Sequence, residues 1–255
     1  MRNIPIIRYE HIRDIGDSHS VRVREFERQI AYFKSSHYIF LSLDEYSELK
    51  SSVLDKKAVL LIFEGAWRDF YENAYPILKR FGAKAGIFLT TEWVQESSKQ
   101  EALDSQNPSV YLAHDKTLLA LEQNPRAYVC TWSELESTKD LISFGSLTHT
   151  YQLSNFVSKP WHDDLQLSKE LIAKNLGTNT THLLWPRGQW DMSLLRTAKK
   201  LGFSSFYTYE SGQNLQSEDL ERNKTFLATN SLFELKKELF VCSNTLTYKL
   251  LHFLL

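Results

Sequence analysis

Few side chains in this sequence have the reach and chemistry for a reaction. Glu64 follows the apolar run Ala58–Phe63, inside KKAVLLIFEGAWRDF. A carboxylate there suits a general base, or a structural anion tied to an arginine or a backbone N–H. Asp69 lies just beyond, where a first-turn carboxylate complements a helix dipole. His149, in ISFGSLTHTYQLS, fits a ligand, an acid or a hydrogen-bonding loop residue. Arg187, in LLWPRGQWD, offers a fork of donors for a carboxylate or phosphate, and equally for an ion pair with Glu64. Pro186 and Gly188 set a sharp turn around it. Trp67, Trp185 and Trp190 carry rings that stack on apolar sugar faces or fill a core. Trp185, lying in a strand, reads as core. His162, Asp163 and Asp164 are adjacent, and helix capping explains the aspartates better than a metal does. No Ser-His-Asp arrangement, phosphate loop or HExxH is present.

The elements that must position these residues alternate along the chain. Short apolar runs at Ile4–Tyr9, Ala58–Phe63, Ala85–Leu89, Leu141–Phe144, His182–Trp185 and Phe206–Tyr209 suit buried parallel strands. Between them lie helical periods. Val21–Ser35 puts Val23, Phe26, Ile30 and Phe33 on one face. A helix over Leu165–Leu176 is expected to start after Asp163-Asp164 and stop at Gly177. Another over Leu194–Leu201 ends at Gly202, and a long helical pattern runs from Leu232 to Leu255. Gln95–Ser109 is polar and aperiodic, which predicts a surface loop. Strand–helix alternation over 255 residues argues for one large α/β domain, residues 1–255, built as a layer or barrel.

Composition excludes some partners. Thirty basic and 31 acidic residues nearly cancel, so nothing electrostatic favours nucleic acid or an anionic membrane. No apolar run is long enough to span a bilayer, so an integral membrane protein is not expected. The start, MRNIPIIRYEHIRD, lacks the apolar stretch of an export signal, which sets a cytoplasmic expectation. Cys130 and Cys242 form no CxxC and imply no disulfide.

Ordered matches along the chain resemble the polysaccharide deacetylase (NodB-homology) family, nearest to its poly-N-acetylglucosamine deacetylase subgroup. IPIIRYEHI resembles that subgroup's Pro-Val-Leu-Met-Tyr-His opening, with Arg8 and Glu10 in place of Met and His. FERQIAYFKSSHYIFLSLDEY resembles its helix-then-strand segment. Ile62-Phe63-Glu64-Gly65-Ala66 stands where the family has Thr-Phe-Asp-Asp-Gly, whose aspartates are a general base and a metal ligand. Gly145-Ser146 leads into the region of His-Thr-x-x-His. Leu184-Trp185-Pro186-Arg187-Gly188 stands at the Arg-x-Pro-Tyr-Gly turn, a wall of the substrate groove. The resemblance implies a distorted (β/α) barrel and hydrolysis of the amide of N-acetyl sugars at a metal.

The departures fall on the metal ligands. One register puts Leu147 and Tyr151 at the two histidine positions; sliding it places His149 at the first and Leu153 at the second. Neither recovers both. Glycine and leucine offer no donor, and a phenol stays protonated near neutrality. A catalytic zinc needs about three protein ligands, so no metal and no cofactor is expected. The expected role is a sugar-binding or regulatory pseudoenzyme of surface-polysaccharide metabolism. It would bind a carbohydrate or sugar-linked precursor, with a protein partner in polysaccharide synthesis. One alternative is an active N-deacetylase or other hydrolase using Glu64, His149 and Arg187. Another is a structural partner with a collapsed cleft. Expected site residues are Glu64 and His149 for catalysis, and Trp67, Asp69, Pro186, Arg187 and Trp190 for substrate.

Overall fold

The structure, a computed structural model, describes residues 3–49, 56–103, 110–151, 160–215 and 219–243. The chain opens with β1 (Ile6–Tyr9), β2 (His11–Ile12), β3 (Ser20–Val21) and α1 (Val23–Ser35). β4 (Ile39–Leu41), α2 (Leu43–Leu49) and β5 (Ala58–Glu64) follow. A π-helical turn (Phe70–Ala74) runs into α3 (Tyr75–Phe81), then β6 (Ala85–Leu89) and α4 (Thr91–Leu103). Next come α5 (His114–Leu121), α6 (Trp132–Glu136), β7 (Ile142–Ser146) and α7 (Trp161–Leu176). The last third holds β8 (His182–Leu184), α8 (Met192–Lys200), β9 (Ser205–Thr208), β10 (Asn223–Lys224), β11 (Phe226–Leu227) and α9 (Leu232–Ser243).

The large sheet is wholly parallel, in the order β10-β9-β8-β7-β6-β5-β1-β11, with β4 also on β5. β10 and β11 are separated only by Thr225 but pair with opposite ends of the sheet. The segment 223–227 therefore bridges β9 to β1 and nearly closes a barrel ringed by helices. Strand alternation sorts the side chains into two layers. Ile4, Ile6, Leu60, Ile62, Leu184 and Tyr207 form one cluster, inside the barrel. Ile7, Tyr9, Leu61 and Phe63 point the other way and pack with Phe26, Ile30 and Phe33 of α1. All seven residues of β5 are buried, as a strand covered on both faces requires.

The expected strands and α1 are present with ends shifted by a residue or two, and the architecture is the expected (β/α) barrel. Two local expectations fail. Residues 95–103 continue α4 instead of forming a loop, while 104–109 lie outside the described residues. The helix α7 begins at Trp161 with Pro160 as its N-cap, not at Asp163-Asp164. Asp164 is instead buried, with its carboxylate accepting from His149 N, Thr150 N and Thr150 Oγ1. The C-terminal helix is described to Ser243; the rest of the pattern to Leu255 lies outside the described residues. Cys130 is a buried free thiol. Among the described residues no helix is long and apolar enough to cross a membrane.

Candidate functional site

In parallel barrels the C-terminal strand ends carry the chemistry. Here those ends bring together β1 (Arg8 and, just beyond it, Glu10), β5 (Glu64), the turn after β7 (Leu147, Tyr151) and the turn after β9 (Tyr209). The register explains how. Arg8 lies opposite Ile62 in the β1–β5 ladder. Glu64 is two residues on and faces the same side, so Arg8 and Glu64 meet at the mouth of the barrel interior.

Glu64 is 5% exposed, and both its oxygens are occupied. Oε2 accepts from Arg8 at 2.7 Å. Oε1 accepts from the Tyr151 hydroxyl at 3.1 Å and from the Tyr209 hydroxyl. Arg8 also lies over the Tyr209 ring, 3.6 Å from its centroid, and donates to Glu10 Oε1 at 2.6 Å. Burial would lower the Arg8 pKa, but Glu64, Tyr209 and Glu10 carry it above the ordinary value. Burial pushes the Glu64 carboxyl up, against the pull of Arg8. Burial and the nearby Glu64 hold both phenols above the ordinary tyrosine range, so they remain donors.

This arrangement does not fit the family's metal. Gly65 supplies no side chain, Leu147 is fully buried among interior apolar residues, and the Tyr151 phenol is spent on Glu64. Trp67 fills the space a ligand at position 65 would need. A Cβ on Gly65 would lie 2.7 Å from Trp67 Nε1. The backbone at the three motif turns is nonetheless left-handed. φ is positive at Gly65 (92°), Ala66 (54°), Thr148 (66°), Tyr151 (56°), Arg187 (54°) and Gly188 (68°). Such conformations cost about 1–3 kcal/mol each outside glycine and cluster at functional turns.

A small cleft sits beside Glu64, bounded by Glu10, Trp67, Trp93, His114, Leu147 and Tyr151 among others. Its volume open to water is about 10 Å³, close to the least that holds one water. Of the expected site residues, only Glu64 and Trp67 line it. The Asp69 carboxylate is buried and bonded to His11 Nδ1 (2.7 Å) and Ile12 N (3.2 Å). It makes no cap for the helical turn it precedes. His149 is buried with its ring Nδ1 3.0 Å from Thr91 Oγ1, which ties the turn after β7 to the start of α4. Leu153, its partner in the alternative register, lies outside the described residues. Pro186 is buried, Arg187 is exposed and Trp190 is half-buried against Trp185. The cation on Glu64 is thus Arg8, not Arg187. At Gly188 a Cβ would lie 2.8 Å from Tyr209 Cβ, so this turn and Tyr209 are in close contact. Tyr209 packs on this turn and takes the place beside Glu64.

Sequence reasoning noted Arg8 and Glu10 as departures from the subgroup's opening but did not join them to Glu64. The signal was present: positions 8, 10, 64 and 151 all depart from the family pattern, and all four belong to one hydrogen-bonded cluster.

The polysaccharide deacetylase family model matches residues 51–206. YxkH of Bacillus subtilis (strain 168) is 26% identical over 212 residues, 82% of this chain and 65% of that protein. The poly-beta-1,6-N-acetyl-D-glucosamine N-deacetylase of Staphylococcus epidermidis is 25% identical over 221 residues, 85% of this chain and 71% of the enzyme. The chain thus spans about two thirds of the length of these curated relatives. Among solved structures, Streptococcus pyogenes deacetylase PplD in complex with acetate superposes with a TM-score of 0.77 at 22% identity, covering 95% of this chain and 98% of that one. IcaB from Ammonifex degensii gives 0.70 at 16% identity, covering 90% and 93%. The parallel barrel is the fold these structures share, and with a family match running over more than half its length this chain belongs to the polysaccharide deacetylase family.

Proposed function

We propose that this chain is a pseudoenzyme of polysaccharide metabolism that recognises N-acetylglucosamine-containing glycan at the mouth of the barrel without hydrolysing it. One observation carries the reading. Both oxygens of Glu64, at the base position, are held by Arg8, Tyr151 and Tyr209. Three of the roughly four acceptor sites of that carboxylate are taken by these donors, and a general base must reach the proton it takes. The glycan class follows from the staphylococcal relatives, whose names place them on poly-beta-1,6-N-acetyl-D-glucosamine. Aromatic rings supply the recognition surface. Trp67, Trp93 and Tyr151 form a row with centroids 5.3 and 5.2 Å apart, and Trp93 and Tyr151 are partly exposed.

Titrating the protein with an oligomer of β-1,6-linked N-acetylglucosamine tests this. Saturable binding is expected, weakened about tenfold in Trp93→Ala if one stacked ring supplies about 1.4 kcal/mol. The near-closed cleft favours a second reading, a structural partner whose cleft is filled by its own side chains. No detectable oligomer binding would sink the recognition reading in favour of that one.

A further inference from the structure

The mouth of the barrel holds a second cluster that shares only Glu10 with the network around Glu64. Glu10, His19 and His114 each direct a ligand atom to one place, all within 4.8 Å of one another. Donors each about 2.1 Å from a tetrahedral Zn²⁺ stand about 3.4 Å apart, so a small contraction would close the set. We infer that Glu10, His19 and His114 form a binding site for a divalent transition metal of the zinc class, beside the position of the family's missing ligands.

Glu10 and His114 each have an outer partner of the kind that orients a metal ligand. Glu10 presents Oε2 towards His19 Nδ1, while its Oε1 is fixed by Arg8 at 2.6 Å. His114 is oriented by a relay. Asp69 Oδ2 accepts from His11 Nδ1 at 2.7 Å, and His11 Nε2 faces His114 Nδ1 at 3.0 Å. With both rings neutral the protons can sit only one way. His11 carries its proton on Nδ1, so its Nε2 accepts from His114 Nδ1–H, and His114 Nε2 is left with a bare lone pair. Asp17 ties the other two parts of the site together: its carboxylate accepts from His19 N at 3.0 Å and from His114 N at 3.0 Å. The two imidazoles are thereby held stacked, with centroids 4.2 Å apart.

Two imidazoles and one carboxylate form a ligand set proper to zinc, with a fourth position left for water or another small donor. Glu10 and His114 also line the cleft, so that position opens towards it. The site does not depend on the glycan reading above.

The test is Zn²⁺ alone, added to the metal-free untagged full chain. Bound metal is counted by elemental analysis after desalting, and affinity is measured by competition with a chromophoric chelator. The expected result is one zinc per chain, bound at least about tenfold more weakly in His19→Ala and in His114→Ala. Tyr151→Phe removes the sole oxygen donor at the family's ligand positions and should leave the affinity unchanged. Substoichiometric zinc in the parent chain, an unchanged affinity in His19→Ala, or loss of zinc in Tyr151→Phe would each overturn the assignment. His19 is partly exposed on the loop before β3, so His19→Ala decides the matter if His114→Ala fails to fold.

Discussion

Arg8→Ala is expected to cost about 3–5 kcal/mol of folding stability, because it strands buried charge. Arg8 is the shared cation of two carboxylates, Glu10 and Glu64, whose side chains are only 8% and 6% exposed. Removing it leaves both without their strongest partner inside the barrel mouth. Much of the loss reflects the uncompensated anions and not the worth of the pair, so removing charge from both sides should cost less. Arg8→Met combined with Glu64→Gln should therefore be more stable than the sum of its single variants by more than about 1 kcal/mol. Urea unfolding of the four proteins gives this cycle directly. A loss below about 1 kcal/mol for Arg8→Ala would mean that Glu64 and Glu10 are solvated and the network is not structural.

Gly65→Asp, which restores the family's ligand type, is expected to destabilise the protein by about 2–4 kcal/mol. Two costs combine. The residue has φ of 92°, a conformation that side-chain-bearing residues rarely adopt. Its new Cβ would press on Trp67 Nε1, and Trp67 is packed against His11 (4.7 Å between ring centroids) and Trp93 (5.3 Å). Both neighbouring rings limit how far the indole can yield. Shrinking it should relieve the clash, so Gly65→Asp should cost less in a Trp67→Ala background, again read by denaturant unfolding. Equal costs in both backgrounds would remove Trp67 as the obstacle. If the obstacle is real, a side chain at position 65 and Trp67 in its present place exclude one another, and a ligand placed at position 65 also requires Trp67 to move.

Parts of this were legible in the sequence for physical reasons. β5 and β6 read as strands because each is a short apolar run buried on both faces. α1 read as a helix because Phe26, Ile30 and Phe33 repeat at helical spacing, and the structure buries all three. α4 was missed because polar groups help to anchor it. Ser97 Oγ donates to Val129 O at 2.7 Å, and Ser98 Oγ accepts from Trp132 N at 2.9 Å. Hydrophobic periodicity does not register such contacts. The departures at the family's ligand positions were legible because each is a residue type, read against a motif. The cation on Glu64 was not. Arg187 sits in a motif near the site, but its side chain is exposed and Tyr209 packs against its turn. Arg8 reaches Glu64 only through the β1–β5 register, which no local pattern reveals. Glu10, His19 and His114 follow the same rule. His114 is far from the other two in sequence and the three share no motif spacing, and they meet because α5 lies over the loop before β3.

The account rests on Glu64 being a structural anion where the family has a base. The most direct test is acetate release from an oligomer of β-1,6-linked N-acetylglucosamine, with the protein preloaded with Zn²⁺ and with Co²⁺, alongside Glu64→Gln. The expected result is no acetate above the Glu64→Gln background with either metal. Metal-dependent acetate release that Glu64→Gln abolishes would contradict the account, because it would show that Glu64 can leave Arg8, Tyr151 and Tyr209 and act as a base.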